Sequence, residues 1–131
     1  MAGTLSTALA NKLLDHILKT TPFVVPTNIY IALYSVAPTA AGGGTELAGN
    51  AYARIVHNSW DAGAGNATEN TGVITFAAAS GGDWLEAVAF ALFDAITGGN
   101  FLGWGDLTTP KTVTDGDTAE FADGALDVTL N

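Results

Sequence analysis

Apolar residues recur at helical spacing only once in this chain, near its start. Leu9, Leu13, Leu14, Ile17 and Leu18 fall on one face at three- and four-residue intervals, while Lys12, Asp15, His16 and Lys19 fall on the other. Ser6 is placed to cap the first turn, and Lys19 lies near the negative end of the helix dipole. Pro22 disfavours helical geometry at its predecessor, so Thr20-Thr21-Pro22 closes the element. The pattern predicts one helix at about residues 7–19.

Beyond it the period falls to two, and turn residues punctuate the chain. In residues 28–35, Ile29, Ile31 and Leu33 alternate with Tyr30, Ala32 and Tyr34; both sets are apolar, which predicts a strand covered on both faces. Residues 38–44 read as a flexible loop ending in three glycines, and 52–58 and 73–76 read as strands around a turn region at 63–72. The alanines of 84–93 would suit a helix. Yet Ala87, Ala89, Ala91 and Phe93 alternate with Val88, Phe90 and Leu92, and glycines precede them, so a strand is predicted. Thr97-Gly98-Gly99-Asn100 then turns the chain into a strand at 101–107, making a hairpin. Strands at 111–114, 119–121 and 125–130 follow, separated by Asp115-Gly116-Asp117 and Ala122-Asp123-Gly124. The expected fold is mainly β: an antiparallel β-sandwich or barrel-like domain preceded by one N-terminal α-helix. With no repeat, heptad or linker, a single domain over 1–131 is expected, with the β-domain from about residue 28.

Composition changes this picture at the surface. Hydrophobic residues make up 48% of the chain and charged residues only 13%, about half the usual ~25%. So few charges leave weakly polar surface that neighbouring subunits would cover, which points to a homo-oligomer or an assembled subunit. The net charge is −9, and the four bases, Lys12, Lys19, Arg54 and Lys111, are scattered. Neither nucleic acid nor an anionic membrane is an expected partner, since both need clustered cations. There is no cysteine, so disulfides, thiolate metal sites and thiol nucleophiles are excluded. The start lacks a basic stretch followed by an apolar run, and the longest apolar stretches, such as 87–93, fall far short of a bilayer span. Synthesis as a soluble chain in a cytoplasm is the expectation.

Candidate chemistry dissolves on inspection. His16 reads as a solvated helix residue, and His57 as a sheet-surface or interface residue at the end of Tyr52-Ala53-Arg54-Ile55-Val56. Neither has metal-ligand spacing, and no Gly-x-Ser-x-Gly elbow supports a nucleophile. Gly42-Gly43-Gly44 is followed by Thr45-Glu46 where a phosphate loop needs Gly-Lys-Ser/Thr. Gly98-Gly99 reads as a hairpin turn, and Gly103-x-Gly105 as a strand approached closely by other backbone. Asp115, Asp117, Glu120, Asp123 and Asp127 crowd thirteen positions, but the glycine between the first two breaks the calcium-loop pattern. They are expected at turns on a solvated or intersubunit face, with an adventitious calcium site as the lesser alternative. Trp60, Trp84 and Trp104 read as core aromatics; Trp60-Asp61, or Trp84 near Glu86, is the alternative as a carbohydrate platform. No catalytic, cofactor-binding or metal-binding residue is assigned, and no cofactor is expected.

The order of segments carries a resemblance. Leu5-Ser6-x3-Ala10-Asn11-Lys12-Leu13-Leu14-Asp15-His16 leads to Ile29-Tyr30-Ile31-Ala32-Leu33-Tyr34, then to Gly44-Thr45-Glu46-Leu47 and Tyr52-Ala53-Arg54. Asn70-Thr71-x2-Ile74-Thr75-Phe76, the Phe93 to Asn100 hairpin, Thr114-Asp115-Gly116-Asp117-Thr118 and Phe121-x2-Gly124-x-Leu126-x-Val128-Thr129-Leu130 follow. Nearly the whole chain thus resembles a family of small tailed-phage virion proteins, labelled tail-fibre-like or head-decoration proteins. The resemblance implies a β-domain that joins a virion through interfaces, with no catalytic residue. The leading expectation is a capsid decoration (cement) protein, a symmetric oligomer such as a trimer, binding the major capsid protein. In that setting the apolar helix face would lie against the sheet or the capsid. The alternative is a tail-fibre or tail-tip module contacting the host surface. A glycoside hydrolase with paired acids is the enzymatic alternative, and it requires two carboxylates facing across a cleft.

Overall fold

A computed structural model describes residues 2–130. The chain begins with a short strand, β1 (Ala2–Leu5), and turns at Ser6 into α1 (Thr7–Leu18). The Ser6 hydroxyl accepts from the Leu9 amide at 3.1 Å, as an N-cap should, and donates to the Phe101 carbonyl at 2.7 Å. That second bond ties the helix start to the sheet. The helix stops where Thr20 enters the left-handed region (φ 58°) and the Thr21 amide bonds back to the Asp15 carbonyl.

Among the described residues nine strands follow the helix. They are β2 (Tyr30–Val36), β3 (Thr45–Glu46), β4 (Ile55–Val56), β5 (Ala67–Glu69), β6 (Ile74–Thr75), β7 (Ala87–Phe93), β8 (Phe101–Lys111), β9 (Glu120–Phe121) and β10 (Asp127–Thr129). Eight strands form one sheet in the order β3-β2-β7-β8-β1-β10-β5, with β4 also pairing β2. β6 and β9 form a second, two-stranded sheet. The fold is mainly β, sandwich- or barrel-like, as the alternation predicted.

The core lies between the two sheets. Ile31, Leu33 and Phe90 of the large sheet pack in one cluster with Ile74, Phe76 and Phe121 from the small sheet and its flanks. Phe76 meets Trp84 and Phe121 edge-on, with centroids 6.4 and 6.3 Å apart. Each such fully buried side chain stabilises the fold by about 1.5–3 kcal/mol. On the other face of the large sheet, Ala32, Ala89 and Ala91 form a flat floor buried beside Tyr34 and Phe93. Residues 38–44 fold back here: the Ala40 carbonyl accepts from the Thr7 amide, and Gly42 lies next to the Phe101 ring. The double-faced burial predicted for residues 28–35 therefore holds, and the glycine loop is a defined turn bridged between Thr39 and Gly42.

Several elements differ from the sequence expectation, among them the turn region predicted at 63–72, which contains β5 because β10 supplies it with a ladder. The helix is not the first element, because β1 precedes it and occupies the middle of the sheet, parallel to β10 and antiparallel to β8. Ala-Gly-Thr-Leu has no readable alternation, and its structure comes from two neighbours that supply the ladder. A Cβ on Gly3 would stand 2.8 Å from the Phe90 ring, and one on Gly105 2.7 Å from it, so both glycines are required where the ring lies over the β1–β8 crossing. The predicted strand at 111–114 is not separate, since β8 runs through Lys111 and ends there. Of the strand predicted at 52–58 only Ile55–Val56 pairs, because Tyr52 and Arg54 are engaged through their side chains.

Candidate functional site

Arg54 organises a polar cluster with Glu46 and Tyr52. It is buried beneath the β7–β8 hairpin, and its guanidinium meets Glu46 through two parallel bonds, Nε to Oε1 at 2.8 Å and Nη2 to Oε2 at 2.9 Å. Nη1 donates to the Ala95 and Gly98 carbonyls, while the cation lies 3.7 Å above the centre of the Phe93 ring. The fork geometry, the opposite charge and the ring face together compensate the burial of the cation. Beside it, the Tyr52 hydroxyl donates to Glu46 Oε1 and accepts from the Leu33 amide, both at 2.9 Å. Leu33 falls on β2 between the registers of β3 and β4, so the phenol fills a gap in the ladder. Burial, with the Glu46 carboxylate adding to it, pushes the phenol far above its ordinary range and keeps it protonated. This cluster clamps loops; it presents no open nucleophile or base.

The residues singled out in the sequence are scattered. His16 accepts from the Phe23 amide at 3.0 Å, and His57 packs edge-on against Trp60 at 5.7 Å. Nε2 of His57 is buried without a hydrogen-bond partner, as is Nε1 of Trp104 on the alanine face. The five clustered acids do not form one group, although Asp123 and Asp127 both act on Glu69: Asp117 accepts from the Thr114 hydroxyl, Glu120 from Thr75, and Asp123 from the Gly72 amide. Asp115 is tied through its own amide to Asp83, and Asp127 stands opposite Glu69 across the β10–β5 ladder. Among the described residues no group of three or more His, Asp or Glu is placed to hold a metal ion. Trp84 is a core residue whose Nε1 donates to the Asn50 carbonyl, so it forms no platform beside Glu86. Trp60 is half-buried and donates to the His57 carbonyl.

Sequence reasoning overlooked two clamps. Asn70, 1% exposed, donates to the Gly72 and Ala122 carbonyls and accepts from the Leu126 amide, joining two distant turns. Arg54 is the other. A lone Arg or Asn in a strand-and-turn sequence gives no periodic signal, although a base in so acidic a chain is itself a cue that it is spoken for.

The most distinctive surface lies at the helix end. No residue of α1 is fully buried, and only its first turn, through Leu9, reaches the core. Ile17 and Leu18 are 71% and 76% exposed, so of the two covers expected for the apolar face, the sheet or the capsid, the sheet does not supply one. The following segment, residues 20–28, is irregular, and it carries Val24 and Val25 at 85% and 77% exposure. Between helix, segment and hairpin tip runs a groove of about 690 Å³, lined by Leu9, Lys12, Phe23, Val25, Asn100 and Phe101 among others. Contiguous exposed apolar areas are uncommon on monomeric domains.

The chain belongs to the family described as Podophage GP4 fiber I protein gp80, whose profile matches residues 4–129. It is thus a phage virion protein of tail-fibre-like kind. That description names a fibre, which supports the tail-fibre alternative better than the capsid decoration placed first on sequence. No curated protein matches the chain. Among the described residues no helix is long and apolar enough to cross a membrane.

Proposed function

We propose that this chain is a structural module of a phage tail fibre, acting through assembly contacts with copies of itself and other virion proteins and not through catalysis. The observation that carries the reading is the family match across residues 4–129 to a protein described as a fibre component. The open apolar end of α1 and residues 20–28 supports it, because that surface suits a packed contact. The non-enzymatic part of the reading is supported by the separation of His16, His57 and the acids, and by the closed, loop-holding role of the Arg54 cluster.

Electron microscopy of intact particles carrying gold-labelled antibody against this chain tests the location. Label on the tail is expected; label distributed over the head would overturn the fibre reading. Particles lacking the chain should keep the heat resistance of their heads and lose tail-dependent adsorption.

A further inference from the structure

We infer that the α1 end of one chain docks head to tail on the opposite, acidic end of a second copy. The inference deepens the fibre-module reading and rests on it for its biological setting. It stands on the axial polarity of the sheet. Strand register defines the two ends: Leu5 pairs Gly103 and Tyr30 pairs Phe93 at the end where Ser6, α1 and the hairpin tip gather. At the other end Ala89 pairs Asp106, Asp127 pairs Glu69, and Ala87 pairs Lys111. Past that last pair the Trp84 amide bonds the Val113 carbonyl, which puts Asp83 and Asp115 beyond the same end.

The two ends complement each other in charge. The helix end carries Lys12, Lys19 and His16 against Asp15 and the groove-lining Asp94, whereas the far end collects Asp106, Asp127, Glu69, Asp83 and Asp115 against Lys111. Glu69 stands directly across the β10–β5 ladder from Asp127, so two acidic residues sit side by side at that end. The ends also match in apolar content. Leu14, Ile17, Leu18, Val24 and Val25 are exposed at the helix end, and Val36 and Leu85 are exposed toward the acidic one. Every residue of the helix-end set is more than half exposed, and stable interfaces draw on such surface to bury about 800 Å² per partner. Pairing two helix ends would instead bring lysines together. A contact between unlike surfaces leaves one free end of each kind, so copies either close into a ring or continue as a stack, the geometry a fibre needs.

Sedimentation of the purified full chain at rising concentration tests this independently of where the chain sits on a particle. Wild type is expected to self-associate, and to do so less at high salt. Leu18→Asp blocks one end and the double variant Leu85→Lys/Asp106→Lys blocks the other; each alone should raise the dissociation constant at least about tenfold. Mixed together they should form a 1:1 dimer, since each retains the end that the other lacks. All three positions are exposed, so circular dichroism and melting should stay near wild type. Val24→Asp, outside any regular element, repeats the helix-end test. A wild-type chain that remains monomeric, a Leu18→Asp chain that associates normally, or a mixture that stays monomeric would each overturn the proposal. A failure here with label still on the tail would leave the fibre reading standing; a head location with an intact dimer would do the reverse.

Discussion

The Arg54 guanidinium makes four hydrogen bonds, two to Glu46 and two to hairpin carbonyls, and covers the Phe93 ring. Removing one member of a buried ion pair strands the other, which costs about 3–5 kcal/mol. Glu46 is 26% exposed and can partly rehydrate, so Arg54→Ala should cost about 3 kcal/mol, read by urea unfolding. Arg54→Lys should recover some of that loss, since it keeps the charge but not the fork. Glu69 works in the opposite sense. Desolvation, its hydrogen bond with Asp127 and the charges of Asp127, Asp61 and Asp123 raise its pKa in the folded chain. A carboxyl whose folded pKa exceeds its unfolded one holds its proton better when folded, so its stabilising contribution is full at low pH and is lost as pH rises through the folded value. Glu69→Gln should therefore melt higher than wild type at pH 7, with the difference vanishing below the ordinary carboxylate range near ~4. Asp94 has the reverse sign: its hydrogen bond from the Asn100 side chain lowers its pKa, and its contribution disappears as pH falls through that range.

At the level of elements, short strands are held by what lies beside them. Ser6 caps α1 and bonds the Phe101 carbonyl, so one side chain fixes both the helix start and its attachment to β8. Ser6→Ala should cost about 1–2 kcal/mol, with helix content reduced by circular dichroism. β1 meets β8 where Phe90 covers Gly3 and Gly105, and a Cβ on Gly105 would stand 2.7 Å from the Ala2 carbonyl. Gly105→Ala must push the β1 and β8 backbones apart, and a loss of about 1–3 kcal/mol in denaturant unfolding is expected. The helix itself was legible, because Leu9 to Leu18 repeat at its period; its exposed face was not. Amphipathicity states that a face seeks cover, and nothing in it says whether the cover belongs to the same chain.

At the scale of the whole molecule, the first strand closes the sheet. β1 lies between β8 and β10 and bonds both, so deleting residues 1–5 leaves β10 and β5 with no path to the rest of the sheet. The deletion should abolish the cooperative unfolding transition in thermal or urea melts, while a deletion confined to a frayed end would leave it intact. Chain topology also puts α1 and residues 20–28 at the end opposite Asp106 and Asp127, the polarity on which head-to-tail contact depends.

Local pattern was enough for the β-rich class, the single capped helix, the doubly buried strand at 28–35 and the hairpin at 97–100, since each rests on period, capping or turn chemistry within a few residues. The turns at Asp115-Gly116 and Asp123-Gly124 were also readable, from their Asp-Gly pairs. Tertiary structure alone decided that Ala2–Leu5 is a central strand, that Arg54 and Asn70 are clamps, and that the helix face stays open. Those outcomes depend on partners far away along the chain, and a side chain's partner across the fold leaves no periodic trace in the sequence around it.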